Sequence, residues 1–164
     1  MNRFVNYGKR SITLPEGCKD LVDVLRLDKP TSGPGAPEPG SLADVEAHIA
    51  RQLQAAAEAS ILVILWGDAV NVIHVVRTKG TLDLFACMAA GGPTEAAVRE
   101  VFEHAGIPLA HDFLKVLAAA TQLLGWQLPG TSGAAAGLVC GLLRTGYGLA
   151  EAARLEFYYV EKPG

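Results

Sequence analysis

Ile61-Leu62-Val63-Ile64-Leu65-Trp66 is an unbroken apolar run rich in β-branched residues and closed by Gly67-Asp68. So short a run reads as a strand buried on both faces, since a helix needs about ten residues or more. Val70 to Arg77 follows as a second strand, Lys79-Gly80 as a turn, and Thr81 to Met88 as a third strand. Parallel crossovers take a dozen or more residues, so these short connections predict an antiparallel meander.

Upstream of the meander, Ser41 and Asp44 have the spacing of a capping box. The helix they open carries Leu42, Val45, Ile49 and Leu53 on one stripe, with Asp44, Glu46, Arg51 and Gln52 away from it, and it ends in Ala55-Ala56-Ala57-Glu58. Downstream, three helices are predicted. The first spans Thr94 to Ala105, with Val98, Val101, Phe102 and Ala105 inward, Gly106 as cap and Pro108 as stop. The second spans Asp112 to Leu124 and ends at Gly125; the third spans Thr131 to Arg144 and ends at Gly146. Arg154 to Lys162 alternates as a closing strand, with Leu155, Phe157 and Tyr159 on one face and Glu156, Tyr158 and Val160 on the other. The fold class is therefore α+β. An antiparallel sheet, made of the three-strand meander plus the C-terminal strand, packs against helices.

Asp28 to Gly40 reads DKPTSGPGAPEPG, a proline- and glycine-rich linker. It divides the chain into an N-terminal piece (1–27), the linker (28–40) and the α+β body (41–164). In the N-terminal piece, Arg3–Tyr7 and Ser11–Leu14 are β-prone around a Gly8-Lys9 turn. Pro15-Glu16-Gly17 then opens a helix with Leu21, Val24 and Leu25 on one face and Asp20 and Asp23 on the other. This hairpin–helix order resembles the opening of a β-grasp (ubiquitin-like) fold, as a pattern of elements over that short piece alone. Units below about 40 residues rarely fold alone, so the piece must dock on the body or on a partner.

Of the 164 residues, 50% are hydrophobic and 19% charged, with a mean hydropathy of +0.25. Such a chain buries enough apolar surface to order itself, which excludes a disordered polyelectrolyte. Net charge is −3 and the basic residues are thinly spread, which argues against nucleic-acid binding. Cys18, Cys87 and Cys140 are far apart and odd in number, so neither a disulfide framework nor a zinc knuckle is expected. No apolar stretch long enough for a signal peptide follows Met1, and the cytoplasm is the expected location.

Residues 116–143 contain no Asp, Glu, Lys, Arg or His. Gln122, Gln127, Pro129 and Gly130 interrupt the stretch, so each helical half is too short to cross a membrane and the pair is read as a buried helical hairpin. Within it, Gly133, Gly137 and Gly141 recur every four residues as a side-chain-free stripe. Each interior glycine costs about 1 kcal/mol against alanine, which close packing must offset. The expected partner of the stripe is Ala118-Ala119-Ala120 of the preceding helix, with a second subunit as the alternative. Gly130-Thr131-Ser132-Gly133 lacks the lysine of a phosphate loop and is read as a helix cap.

Of the four histidines, His48 is read as a surface partner of Asp44 and His74 as a hydrogen-bonded core histidine. Glu100, His104 and His111 are weak metal candidates, lacking an H-E-x-x-H or comparable spacing, and the reading assigns no metal. There is no G-x-S-x-G, Cys87 and Cys140 read as inert core thiols, and no catalytic residue is assigned. Tyr158 is taken as a contact residue, since tyrosine is enriched at interfaces. The expected function is a non-enzymatic protein interaction or assembly module, with a protein partner or self-association and no cofactor. One rival is a small enzyme or ligand-binding protein with a pocket between sheet and helices, using Asp68, His74, Glu100, His104 and His111. The other is a peripheral membrane protein using the uncharged hairpin.

Overall fold

The computed structural model describes residues 3–7, 10–14, 38–55, 59–67, 72–78, 81–116 and 120–162. β1 (Arg3–Tyr7) and β2 (Arg10–Leu14) pair antiparallel as a separate ribbon. The helix expected after them, and residues 28–37 of the linker, lie outside the described residues. β3 (Glu38–Gly40) leads through a 3-10 turn (Leu42–Asp44) into α1 (Val45–Gln54). The meander follows as β4 (Ala59–Leu65), β5 (Val72–Thr78) and β6 (Thr81–Ala89). Then come α2 (Pro93–His104), β7 (His111–Val116), β8 (Ala120–Gln127) and α3 (Ser132–Gly141). A π-helical turn (Leu142–Gly146) extends α3, and β9 (Leu155–Lys162) closes the fold.

The seven strands from β3 to β9 form one antiparallel sheet in the order β3-β9-β4-β5-β6-β8-β7. The α+β class and the meander are as the sequence predicts, and the C-terminal strand joins the meander through β4. Tyr158 stands opposite Val63 and Tyr159 opposite Leu62.

All three helices cover one face of the sheet. Leu42, Val45 and Ile49 from the first segment, Val98 and Phe102 from α2, and Ala135, Ala136 and Val139 from α3 share a core with Leu62, Ile64, Ile73, Val75, Leu84, Leu124 and Phe157. The Phe102 ring stacks on Trp126 of β8 at 3.9 Å between centroids. At the start of α1 the Ser41 backbone N–H donates to the Asp44 carboxylate at 2.8 Å, as the spacing implied. Gly106, at φ +71°, ends α2 in the left-handed region open to glycine.

One predicted element is wrong. Residues 112–124 are not a helix; most of that stretch forms the β7–β8 hairpin. Its leucines and alanines favour a helix by only tenths of a kcal/mol each. Against that stands the open edge of β6, which β8 closes from Asp83↔Gln127 to Ala89↔Thr121. In that register Leu124 and Trp126 both enter the core and Gly125 faces the other way, opposite Phe85. Long-range pairing and the burial of a tryptophan override the local preference.

Phe102 is fully buried against Trp126. Phe102→Ala is expected to cost about 3–5 kcal/mol, the usual range for an aromatic truncated in a core. Urea unfolding followed by tryptophan fluorescence measures the loss.

Candidate functional site

The charge-free stretch resolves into β8 and α3, and α3 is the part that reaches the surface. Thr131, in extended backbone, precedes α3, and the Thr131 carbonyl accepts from the Ala135 N–H at 3.0 Å. The inner side of α3, formed by Ala135, Ala136, Val139 and Cys140, is buried. Its outer side, formed by Gly133, Ala134 and Gly137, is exposed and flanked by the half-buried Leu138 and Gly141. Most surface helices present charge to water. This one presents none.

The helix that packs against α3 is α1. The expected partner segment fails on topology: Ala120 begins β8, and 117–119 lie outside the described residues. A Cβ added at Gly133 would meet Glu46 Oε1 at 3.4 Å, and one at Gly141 would meet Val101 Cγ1 at 3.7 Å, both ordinary contacts. At Gly137 a Cβ would meet nothing within 4 Å among the described residues. The close approach comes one step further on, at Gly146, where a Cβ would lie 2.7 Å from Val98 Cγ2 and 3.5 Å from Val98 Cα. Backbone contact between α2 and the π turn depends on Gly146, a residue the sequence marked only as a helix end.

Tyr158 is buried on the face of the sheet away from the helices. His74 shares that face, opposite Val63 and Phe85, and burial pushes it down to about 4 from its ordinary 6.5. His48 is not a surface side chain. It stacks on Phe157 at 4.0 Å between ring centroids, with Nε2 3.9 Å from Glu38 Oε2, and burial holds it below its usual value despite that carboxylate.

Among the weak metal candidates, His104 Nε2 lies 3.3 Å from Glu100 Oε1 at the exposed end of α2. His111 starts β7, and its neighbour Asp112 is taken by Arg99 at 3.3 Å and by the Gln122 amide. Among the described residues no group of three His, Cys, Asp or Glu could hold a metal. The residues named for a pocket are not brought together either. His74 lies on the far face, Glu100 and His104 sit at the end of α2, and Asp68 is outside the described residues.

Gln52 was missed. Its type and place in the sequence put it on the polar side of its helix, but it is fully buried beneath α1. Its Nε2 donates to the backbone carbonyls of Ser60 at 3.2 Å and Val75 at 2.7 Å, tying α1 to β4 and β5. Its spacing from Val45 and Ile49 is that of a core position and was the signal available. Among the described residues, Gln52 Oε1 and Ser60 Oγ are buried without a hydrogen-bond partner.

Comparison of the chain with protein-family models, with curated proteins and with solved structures gives no match to any of them.

Two glycines should respond with opposite signs. Gly137→Ala is expected to stabilise the protein by about 0.5–1 kcal/mol, because it removes unfolded-state entropy and its methyl meets only space. Gly146→Ala is expected to destabilise it, because the methyl collides with Val98. Thermal unfolding of both variants measures the contrast.

His74 also sets a pH dependence. The unfolded residue takes a proton near 6.5 and the folded one only near 4, so between those values the unfolded chain binds more protons. Stability should fall as pH drops through that window, by about 3 kcal/mol in all, and the contribution should level off below it. Urea unfolding at a series of pH values is expected to show this slope, and His74→Phe to flatten it.

Proposed function

We propose that the chain is a non-enzymatic protein interaction or assembly module of the cytoplasm, binding through the outer face of α3. The observation that supports it is the uncharged, side-chain-poor exterior of that helix, above all Gly137. A glycine inside a helix costs about 1 kcal/mol, and at Gly137 no contact with the described residues accounts for it. A partner backbone resting on this face would. Glycines let two helices approach closer than the usual 8–10 Å between axes. The helix itself brings no charge to this face, where Glu46 of α1 beside Gly133 is the neighbouring carboxylate, so little desolvation cost falls on α3 when the face is covered. The partner is a second copy of the chain or a helix of similar small-residue surface, and no cofactor enters.

The membrane alternative has less support. Its uncharged helical hairpin is in fact a strand followed by a ten-residue helix. Among the described residues no helix is long and apolar enough to cross a membrane.

Native mass measurement over a range of concentrations tests the reading. The expected result is an assembly that Gly137→Glu converts to single chains with little loss of thermal stability, since surface substitutions usually stay within about 0.5 kcal/mol. A wild-type protein that stays a single chain throughout, indistinguishable from Gly137→Glu, would overturn self-association through this face.

A further inference from the structure

We infer that a single water molecule is bound between α1 and β4, held by Gln52 Oε1 and Ser60 Oγ, as an internal ligand that completes the contact of helix with sheet. Both residues are fully buried, at 0% exposure, and neither atom has a hydrogen-bond partner among the described residues. Ser60 has the same parity along β4 as Leu62 and Ile64, which lie in the core under the helices. Its side chain therefore points at α1 and not at the other face of the sheet. Gln52 comes down from α1 onto the same spot, where its Nε2 donates to the Ser60 carbonyl at 3.2 Å. The two unsatisfied atoms thus belong to residues already in contact.

Chemistry fixes which way the Gln52 amide points. Its second bond runs from Nε2 to the Val75 carbonyl at 2.7 Å, and only the NH2 end can serve two carbonyls, since an amide oxygen has no proton to give. Turning the amide over would set oxygen against oxygen twice, so Oε1 is committed to a place without a protein donor among the described residues. An amide oxygen buried in that way keeps its full desolvation cost. One water answers both atoms. It donates a proton to Gln52 Oε1 and accepts the proton of the Ser60 hydroxyl, and about two to four polar partners are enough to hold a buried water. Neither atom carries charge, so an ion would find nothing here to repay its own desolvation, and the ligand must be neutral. Side-chain size agrees with this. Ser60 is the smallest residue in the helix-side row of β4, beside Leu62 and Ile64, and leaves next to Gln52 the space that a leucine would fill.

A crystal structure at a resolution that orders solvent is the first test. The expected result is one water within hydrogen-bond distance, about 2.7–3.2 Å, of both Gln52 Oε1 and Ser60 Oγ. A dry contact in which the Ser60 hydroxyl donates directly to Gln52 Oε1, or solvent that reaches neither atom, would overturn the inference. Oxygen-17 relaxation dispersion gives a readout in solution, because it counts the waters held inside the protein. A chain of 164 residues holds on the order of six of them, so the difference between variants is what is read. The double substitution Gln52→Leu and Ser60→Ala removes both partners and is expected to hold one long-lived water fewer than the wild type. Gln52→Leu also removes the two carbonyl contacts, so Ser60→Ala alone, which keeps them, is measured beside it and is expected to shorten the residence of the same water. An equal count in the folded double variant, or an unchanged dispersion in Ser60→Ala, would overturn the inference.

Discussion

β4 carries apolar side chains on both of its faces, so neither face can be left to water. Fully buried from Ile61 to Leu65, it is hydrogen-bonded along its length to β5 on one side and β9 on the other. Much of the fold follows from that requirement. The helices supply one cover, through Val45, Ile49, Phe102 and Val139. The flanking strands supply the backbone partners that so apolar a segment cannot obtain from solvent. The β7–β8 hairpin extends the same sheet and brings Trp126 under Phe102, completing the core at its far end.

The proposed binding through α3 would use what this arrangement leaves over. The inner side of α3 is committed to α1 and the core, and Arg144 of the π turn forms an exposed ion pair with Glu151. On the segment itself, charge thus returns only past the end of α3. A contact formed there would leave the sheet and its buried groups untouched, and association and folding would be separately adjustable.

Elements defined by periodicity were legible in the sequence. The run at Ile61, the alternation at Leu155 to Tyr159, the stripe through Val45 and Ile49, and the stop at Gly106 all report which side chains need burial. What the sequence did not show is which partner performs it. Residues 112–124 carry a helical preference too weak to resist the edge of β6. Gln52 looked like a polar surface residue because its amide partners, the Ser60 and Val75 carbonyls, are brought near only by the finished sheet. The glycines at 133, 137 and 141 share a spacing, yet the tight approach fell at Gly146, where α2 happens to pass. Spacing gives a face its composition, and topology decides what stands against it.

The place of β9 in the sheet has a consequence for synthesis. β9 lies between β3 and β4, so the first and last strands of the large sheet are neighbours while nearly all of its chain lies between them. Until Leu155–Lys162 has been made, β4 has a bare edge of unpaired backbone groups, and the meander cannot join β3. Ladders between distant segments close slowly, because the loop entropy must be overcome before any contact rewards it. The large sheet therefore closes only once β9 is available, and until then the open edge of its most apolar strand is a site where another chain can pair.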